Sequence, residues 1–219
     1  MATLFLIRHG LTAQTGKRLY GRTPGIGLDD RGRAQAEHLA DRFAPVKLTA
    51  IYSSPLERCV ETVEPLAHAQ RLPVVIRPDL IEMDAGSWTG RTLSALRRTK
   101  RWAHVQRSPS TFRFPDGEGF AEAHERVTAE VDAIARRHRR GRVVVATHGD
   151  IVRILMAHFA GAPLDAFQRT VVDPASVSVV SVGRNGAANV LLVNDTGGLE
   201  RFGPAGHAPP WETPARTRS

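Results

Sequence analysis

The chain has 219 residues, of which 42% are hydrophobic and 24% charged, a composition typical of a globular domain and unlike that of disordered or fibrous proteins. No apolar run approaches the roughly 18 residues of a membrane helix, and the N-terminus shows no signal-peptide pattern. The single cysteine, Cys59, excludes an intrachain disulfide framework and a cysteine-based zinc cluster. We therefore expect a cytoplasmic protein that does not associate with membranes.

The positive charge of the chain is local. Lysine and arginine exceed the acids by 30 to 22, which gives a net charge of +8. Two runs without an acid, residues 97–107 and 136–142, account for this excess. A solvated helix end explains either run, and attraction of an anionic substrate or partner is the alternative. Because aromatic residues are not interleaved with the runs, apart from Trp102, no nucleic-acid partner is expected.

Short apolar segments and helical periodicity alternate along the chain. The segments typical of strands are 3–7, 50–52, 74–76, 143–146, 177–182 and 189–193. Helical periodicity covers 36–43, 120–134 and 150–159. A further helix is predicted after Ser54 as N-cap, with Pro55 at its first position and Pro65 ending or kinking it.

This alternation predicts an α/β fold: a three-layer α/β/α architecture with a mostly parallel open sheet and helices on both faces. The basic, proline-bearing stretch 93–119 interrupts the rhythm and is interpreted as an insertion over the sheet. Residues 203–219 contain many Pro and Gly and show no period, which predicts a flexible tail. The remaining residues, 1–202, are predicted to form a single domain.

Polar residues follow the predicted strands at the points where these end. Arg8-His9-Gly10 comes after the first strand and Thr147-His148-Gly149 after the strand at 143–146. The second strand is followed by Ser53-Ser54-Pro55, with Arg58 in the first turn of the next helix. In open α/β sheets, ligands bind beyond the carboxyl ends of the strands. If these strands are parallel neighbours, the two His-Gly pairs and both arginines converge on one edge.

Such a set of residues is suited to phosphate chemistry. Two guanidinium groups match a phosphate or carboxylate dianion, and helix N-termini add positive dipole ends. A histidine is the plausible nucleophile because Cys59 lies on the body of a helix, and its attack on phosphorus divides a difficult displacement into two steps through a phosphohistidine. Glu82, just after the third strand, is the natural donor of the proton that the leaving oxygen needs.

The motifs resemble those of the histidine phosphatase superfamily, in its phosphoglycerate-mutase-like branch. Leu6-Ile7-Arg8-His9-Gly10-Leu11-Thr12 looks like the RHG signature of that family. The other motifs follow in family order over about residues 3–195: the substrate loop 21–28 with the first helix, Ser53-Ser54-Pro55-Leu56-x-Arg58, Glu82-x-x-x-Gly86-x-Trp88-x-Gly90, and Thr147-His148-Gly149-Asp150-x-x-Arg153.

The resemblance implies a role for each matching residue. His9 would be the phosphorylated nucleophile. Arg8, Arg58 and His148 would hold the phosphoryl group. Glu82 would be the proton donor and then the base for the hydrolytic water. No metal and no cofactor are implied.

The resemblance also implies a substrate loop and a cap. Gly21, Thr15 and Gly149 are candidate phosphate or substrate contacts, and residues 91–120 would form a small helical cap over the site. Many members carry Asn where this chain has Thr15, so the phosphate cradle is expected to differ there. A serine common in phosphatase members is replaced by Gly119, which removes a cap contact or an N-cap.

The leading hypothesis is a metal-independent phosphomonoesterase that hydrolyses a small phosphorylated metabolite through a phosphohistidine. A phosphoglycerate mutase-type phosphomutase is the alternative, although mutases resembling this fold are usually longer after the acid motif. A third hypothesis is a non-catalytic phosphate-binding regulatory module. A homodimer is possible because the terminal strand could pair across a two-fold axis.

Overall fold

The computed structural model describes residues 1–199 and 202–203, so all of the predicted tail beyond residue 203 lies outside the described residues. Within these ranges, strands and α-helices alternate as predicted. The strands are β1 (Ala2–Arg8), β2 (Ala50–Ser53), β3 (Val74–Ile76), β4 (Arg142–Thr147), β5 (Val177–Val182) and β6 (Ala188–Asp195). The α-helices are α1 (Asp30–Arg42), α2 (Glu57–Gln70), α3 (Leu93–Leu96), α4 (Lys100–Arg107), α5 (Phe120–Arg137) and α6 (Gly149–Phe159).

The strands form one six-stranded sheet in the order β3-β2-β4-β1-β5-β6. β3, β2, β4 and β1 run parallel, whereas β5 and β6 are antiparallel to their neighbours. The mostly parallel open sheet is therefore confirmed. Because β4 lies between β1 and β2, the polar residues that follow all three strands meet at one carboxyl edge, and Arg8 pairs in register with Thr147.

Helices cover both faces of this sheet, and the alternation of side chains along β1 shows why. Phe5 and Ile7 pack in one apolar cluster with α1 and α2, while Leu4 and Leu6 pack in a second cluster with α5 and α6. Side chains on a strand alternate between faces, so a run that is apolar throughout needs a layer on each side. The three-layer architecture is confirmed.

The predicted start of α2 is wrong: the helix begins at Glu57 and not at Pro55, and its N-cap is Leu56. The Ser54 hydroxyl accepts from the Leu56 N–H at 3.4 Å and lies 2.8 Å from His148 Nε2. Pro65 does not end the helix, which continues to Gln70, and a kink at Pro65 stays a prediction. Burial of Leu66 and Ala67 beyond the proline compensates for the backbone hydrogen bond that proline cannot make.

The inserted stretch forms the predicted helical cap. α3 and α4 are joined to the α5–α6 side of the core through the buried side chains of Leu96 and Val105. Among the described residues, no helix combines the length and the apolar character that a membrane crossing requires. β6 is an edge strand on which Leu191 and Val193 are exposed. A homodimer formed through it stays a prediction.

Candidate active site

The carboxyl ends of β1 and β4 open into a cleft of about 470 Å³. Arg8, His9, Glu82 and Gly149 are among the residues that line it. His9 and His148 are buried, and their rings lie edge to face with centroids 5.4 Å apart. The structure thus brings both His-Gly pairs together, as their positions after parallel strands predict.

His9 is held as a neutral imidazole with one free nitrogen. Its Nδ1 lies 2.7 Å from the carbonyl oxygen of Gly10, and because a carbonyl only accepts, Nδ1 carries the hydrogen. Burial, followed by the charge of Arg58, lowers the pKa of His9 to about 3. The ring is therefore uncharged at neutral pH, with its one hydrogen on Nδ1 and a lone pair on Nε2. The backbone N–H of Gly10 is itself held by the Thr62 hydroxyl at 2.9 Å.

Two arginines flank this histidine, and each has an unused donor. Arg58 is fully buried, and its Nη2 donates to the carbonyl oxygen of Gly21 at 2.7 Å. Arg8 donates through Nη1 to the carbonyl oxygen of Val172 at 2.6 Å. The Nε of both arginines is buried without a hydrogen-bond partner among the described residues. An unsatisfied buried donor is costly, so these two orphan donors on the arginines near His9 indicate an anion site.

The glycines of the motifs allow close backbone packing around this anion site. A Cβ on Gly149 would lie 3.1 Å from Arg8 Nε, and one on Gly10 would lie 3.0 Å from the carbonyl oxygen of Gly32. Gly21 has a φ of +45°, a conformation that L side chains rarely adopt. Larger residues at these positions would displace an arginine or a backbone segment of the site.

His148 is positioned by Ser54, which the sequence predicted as the N-cap of a helix. Its Nε2 lies 2.8 Å from Ser54 Oγ, and its Nδ1 lies 4.0 Å from Glu82 Oε2. Burial and the neighbouring Arg58 lower its pKa well below the usual histidine value, so this ring is also neutral. Cys59 packs against it as a fully buried thiol whose pKa is raised by burial, which agrees with its predicted place on the body of a helix.

Glu82 has the acid–base character that the sequence hypothesis requires. Burial and then the nearby Asp150 carboxylate raise its pKa to about 7, against the opposing effect of a hydrogen bond from the Met83 N–H. That bond to Oε1 is 2.9 Å long. At neutral pH a large fraction of Glu82 is therefore protonated and able to donate a proton.

An ion-pair network holds the loop that carries Glu82. Glu118 accepts from Arg22 Nη2 at 3.0 Å and from Arg126 Nε at 2.9 Å. Arg22 Nε also donates to the carbonyl oxygen of Glu82, and Arg126 donates to that of Ile81. The sequence pattern gave no signal for these contacts because their partners lie far apart in the chain. Gly119 is the N-cap of α5, and its backbone N–H donates to Glu122 Oε2 at 3.1 Å.

Thr15 bonds within its own loop, and Tyr20 joins the cleft although the sequence did not predict it. Thr15 Oγ1 accepts from the Thr12 N–H at 3.0 Å and contacts the Thr12 hydroxyl, so the side chain braces its own loop. Its contact with phosphate stays a prediction. Tyr20 lines the cleft and stacks under the Arg58 guanidinium, whose Cζ lies 4.8 Å from the ring centroid. Sequence reasoning missed Tyr20 because a loop tyrosine carries no periodic or motif signal.

The cap supplies the outer wall of the cleft. Arg97, from the first basic run, lines it together with Trp102 and Val105. This places one cation of the run at the cleft, as the substrate-facing interpretation of the run expects. Within the described part of the chain, no group of three or more His, Cys, Asp or Glu side chains is arranged to hold a metal ion. A metal-independent reaction stays a prediction.

The fold and this constellation agree with a comparison of the chain with protein families. The sequence profile of the histidine phosphatase superfamily (branch 1) matches residues 4–196. The chain belongs to this superfamily.

Relatives with named activities agree with this assignment. Phosphoserine phosphatase 1 of Hydrogenobacter thermophilus is 31% identical over 200 residues, which are 88% of this chain and 91% of that protein. A probable phosphoglycerate mutase, GpmB, of Erwinia tasmaniensis is 29% identical over 184 residues, 82% of this chain and 85% of its own.

A solved structure also matches. The crystal structure of a putative alpha-ribazole-5'-P phosphatase from Escherichia coli superposes with a TM-score of 0.80 at 26% identity, covering 90% of this chain and 98% of that one. Together with the family match, these likenesses identify the chain as an enzyme of the histidine phosphatase type.

Proposed function

We propose that the protein is a metal-independent phosphomonoesterase that hydrolyses a small phosphorylated metabolite through a phosphohistidine on His9. The observation that carries this proposal is the pairing of a free Nε2 on His9 with the orphan Nε donors of Arg8 and Arg58. A tetrahedral phosphoryl group seated there satisfies both donors and faces the nucleophile.

In the first step, His9 Nε2 attacks phosphorus and the bond from phosphorus to the ester oxygen breaks. Glu82 gives its proton to the departing oxygen, so the alcohol leaves neutral. In the second step, water attacks the phosphohistidine, and the Glu82 carboxylate takes the proton of that water. The phosphorus–nitrogen bond breaks, inorganic phosphate is released and His9 is restored. Arg8 and Arg58 neutralise and orient the equatorial oxygens in both steps, and the neutral His148 holds the phosphoryl group by a hydrogen bond.

The test is phosphate release, with a chelator present, from a panel of phosphorylated metabolites. His9→Ala is the matched variant, because it removes the nucleophile and leaves both arginines. We expect release by the native chain, acid-labile radiolabel on the protein during turnover, and neither in the variant. Release that persists in His9→Ala, or turnover without a labelled protein, would refute the phosphohistidine route.

A mutase is the second candidate, favoured by the likeness to the probable phosphoglycerate mutase. Formation of 2-phosphoglycerate from 3-phosphoglycerate, followed in parallel, distinguishes the two: isomerisation without phosphate release identifies a mutase. The short cap, with two short helices between β3 and α5, supports the phosphatase. A non-catalytic phosphate-binding module would give neither product and no labelled protein.

A further inference from the structure

The cap carries an aromatic cluster that ends at the cleft. Trp88 is buried and contacts Phe112, Phe114 and Trp102, with ring centroids 5.6, 5.5 and 6.3 Å away. The rings of Trp88 and Trp102 are nearly parallel, with an interplanar angle of 22°. Trp102 is only partly buried and lines the same cleft as His9. Trp102 is thus the ring of the cluster that lines the cleft and can contact a ligand there.

One face of α4 continues this wall. Trp102, Val105 and Gln106 stand at positions i, i+3 and i+4, so they share one side of the helix, and all three line the cleft. Val105 is buried at the base of this face, whereas Gln106 is exposed. The α4 face therefore offers a flat ring, an apolar floor and an amide that can donate and accept hydrogen bonds.

The size of the cleft indicates that this wall contacts the alcohol part of a substrate. Its volume of about 470 Å³ exceeds the needs of a phosphoryl group and falls in the range of pockets for small organic ligands, roughly 300–1,000 Å³. A three-carbon acid held at His9 would leave the α4 face uncovered. A planar ring would stack on Trp102 and place its polar edge beside Gln106.

We propose that the preferred substrate is a phosphomonoester whose alcohol carries a planar heterocyclic ring, of the nucleoside 5'-monophosphate type, stacked on Trp102. This inference rests on the proposed function and specifies its substrate class. Two of the cations that line the outer cleft already have partners within the protein. Arg153 is paired with Asp150 at 3.1 Å, and Arg18 donates to the carbonyl oxygen of Gly90.

The test compares adenosine 5'-monophosphate with ribose 5-phosphate, which share the phosphorylated ribose and differ by the base. For the native chain we expect kcat/KM to favour the nucleotide by about 5- to 150-fold, the range of stacking one base on an aromatic side chain. Trp102→Ala should abolish this preference, and Trp102→Phe should retain part of it. Arg101→Ala, an exposed neighbour on α4, is the control and should keep the full preference.

Calorimetric binding of both compounds to the His9→Ala variant gives a readout that needs no turnover. Tighter binding of the nucleotide, lost when Trp102→Ala is added, supports the inference even if the phosphohistidine route fails. Equal affinity and equal kcat/KM for the two compounds would overturn it and leave the phosphatase activity standing. A preference for 3-phosphoglycerate over both would also overturn it, and would assign Arg97 and Arg18 to a second anionic group.

Discussion

Glu82→Gln tests the acid–base assignment most directly. The substitution preserves the length and shape of the side chain, and the amide oxygen can still accept the Met83 N–H that now bonds Oε1. It removes the proton that the leaving oxygen receives. We therefore expect phosphoenzyme formation to slow for esters with poor leaving groups and to change little for activated aryl phosphates.

The expected loss of rate depends on the pKa of Glu82, which the site raises from 4.5 to about 7. At pH 7 a large fraction of this carboxyl group is therefore protonated, whereas almost none would be at the ordinary value. Positioned general acids contribute roughly 10²- to 10⁴-fold to rates. We expect a loss of about 100-fold or more with an alkyl phosphate and of less than about 10-fold with p-nitrophenyl phosphate.

The assay is rapid-quench measurement of labelled phosphoenzyme in a single turnover. Steady-state rates alone would mislead, because Glu82 is also assigned as base in the hydrolytic step. In the native chain the first step should slow as pH rises through about 7, where Glu82 loses its proton, and this dependence should be absent in the variant. Equal losses of phosphoenzyme formation with both esters would refute Glu82 as the acid.

Three further substitutions probe the surroundings of the nucleophile. Asp150→Asn removes a charge that raises the pKa of Glu82, so the alkaline limb of the first-step pH profile should move to lower pH; an unmoved limb would contradict the coupling. Gly149→Ala places a methyl group 3.1 Å from Arg8 Nε and should lower kcat/KM with an unchanged circular dichroism spectrum, whereas full activity would show that Arg8 can shift freely. Arg58→Ala should weaken binding of inorganic phosphate about 10-fold or more, as measured by calorimetry, because a buried charged donor is lost; unchanged affinity would exclude this arginine from the anion site.

The sequence by itself determined the elements and the chemical class of the site. Apolar runs such as 143–146, followed by Thr147-His148-Gly149, are local signals, because strand formation depends on adjacent residues and glycine allows a close approach of backbone. The order of the motifs, from which the family resemblance was recognised, can also be read from the sequence alone. Where local signals competed with distant contacts, they failed: Ser54 has the chemistry of an N-cap, yet its hydroxyl lies against His148.

The tertiary structure alone decided which residues act on one another. The strand order places β4 between β1 and β2, and only this adjacency brings His9 and His148 together. The raised pKa of Glu82 depends on burial and on Asp150, which is distant in the chain. Electrostatic and packing energies depend on separation in space and on exclusion of water, and neither quantity can be read from the spacing of residues along the sequence.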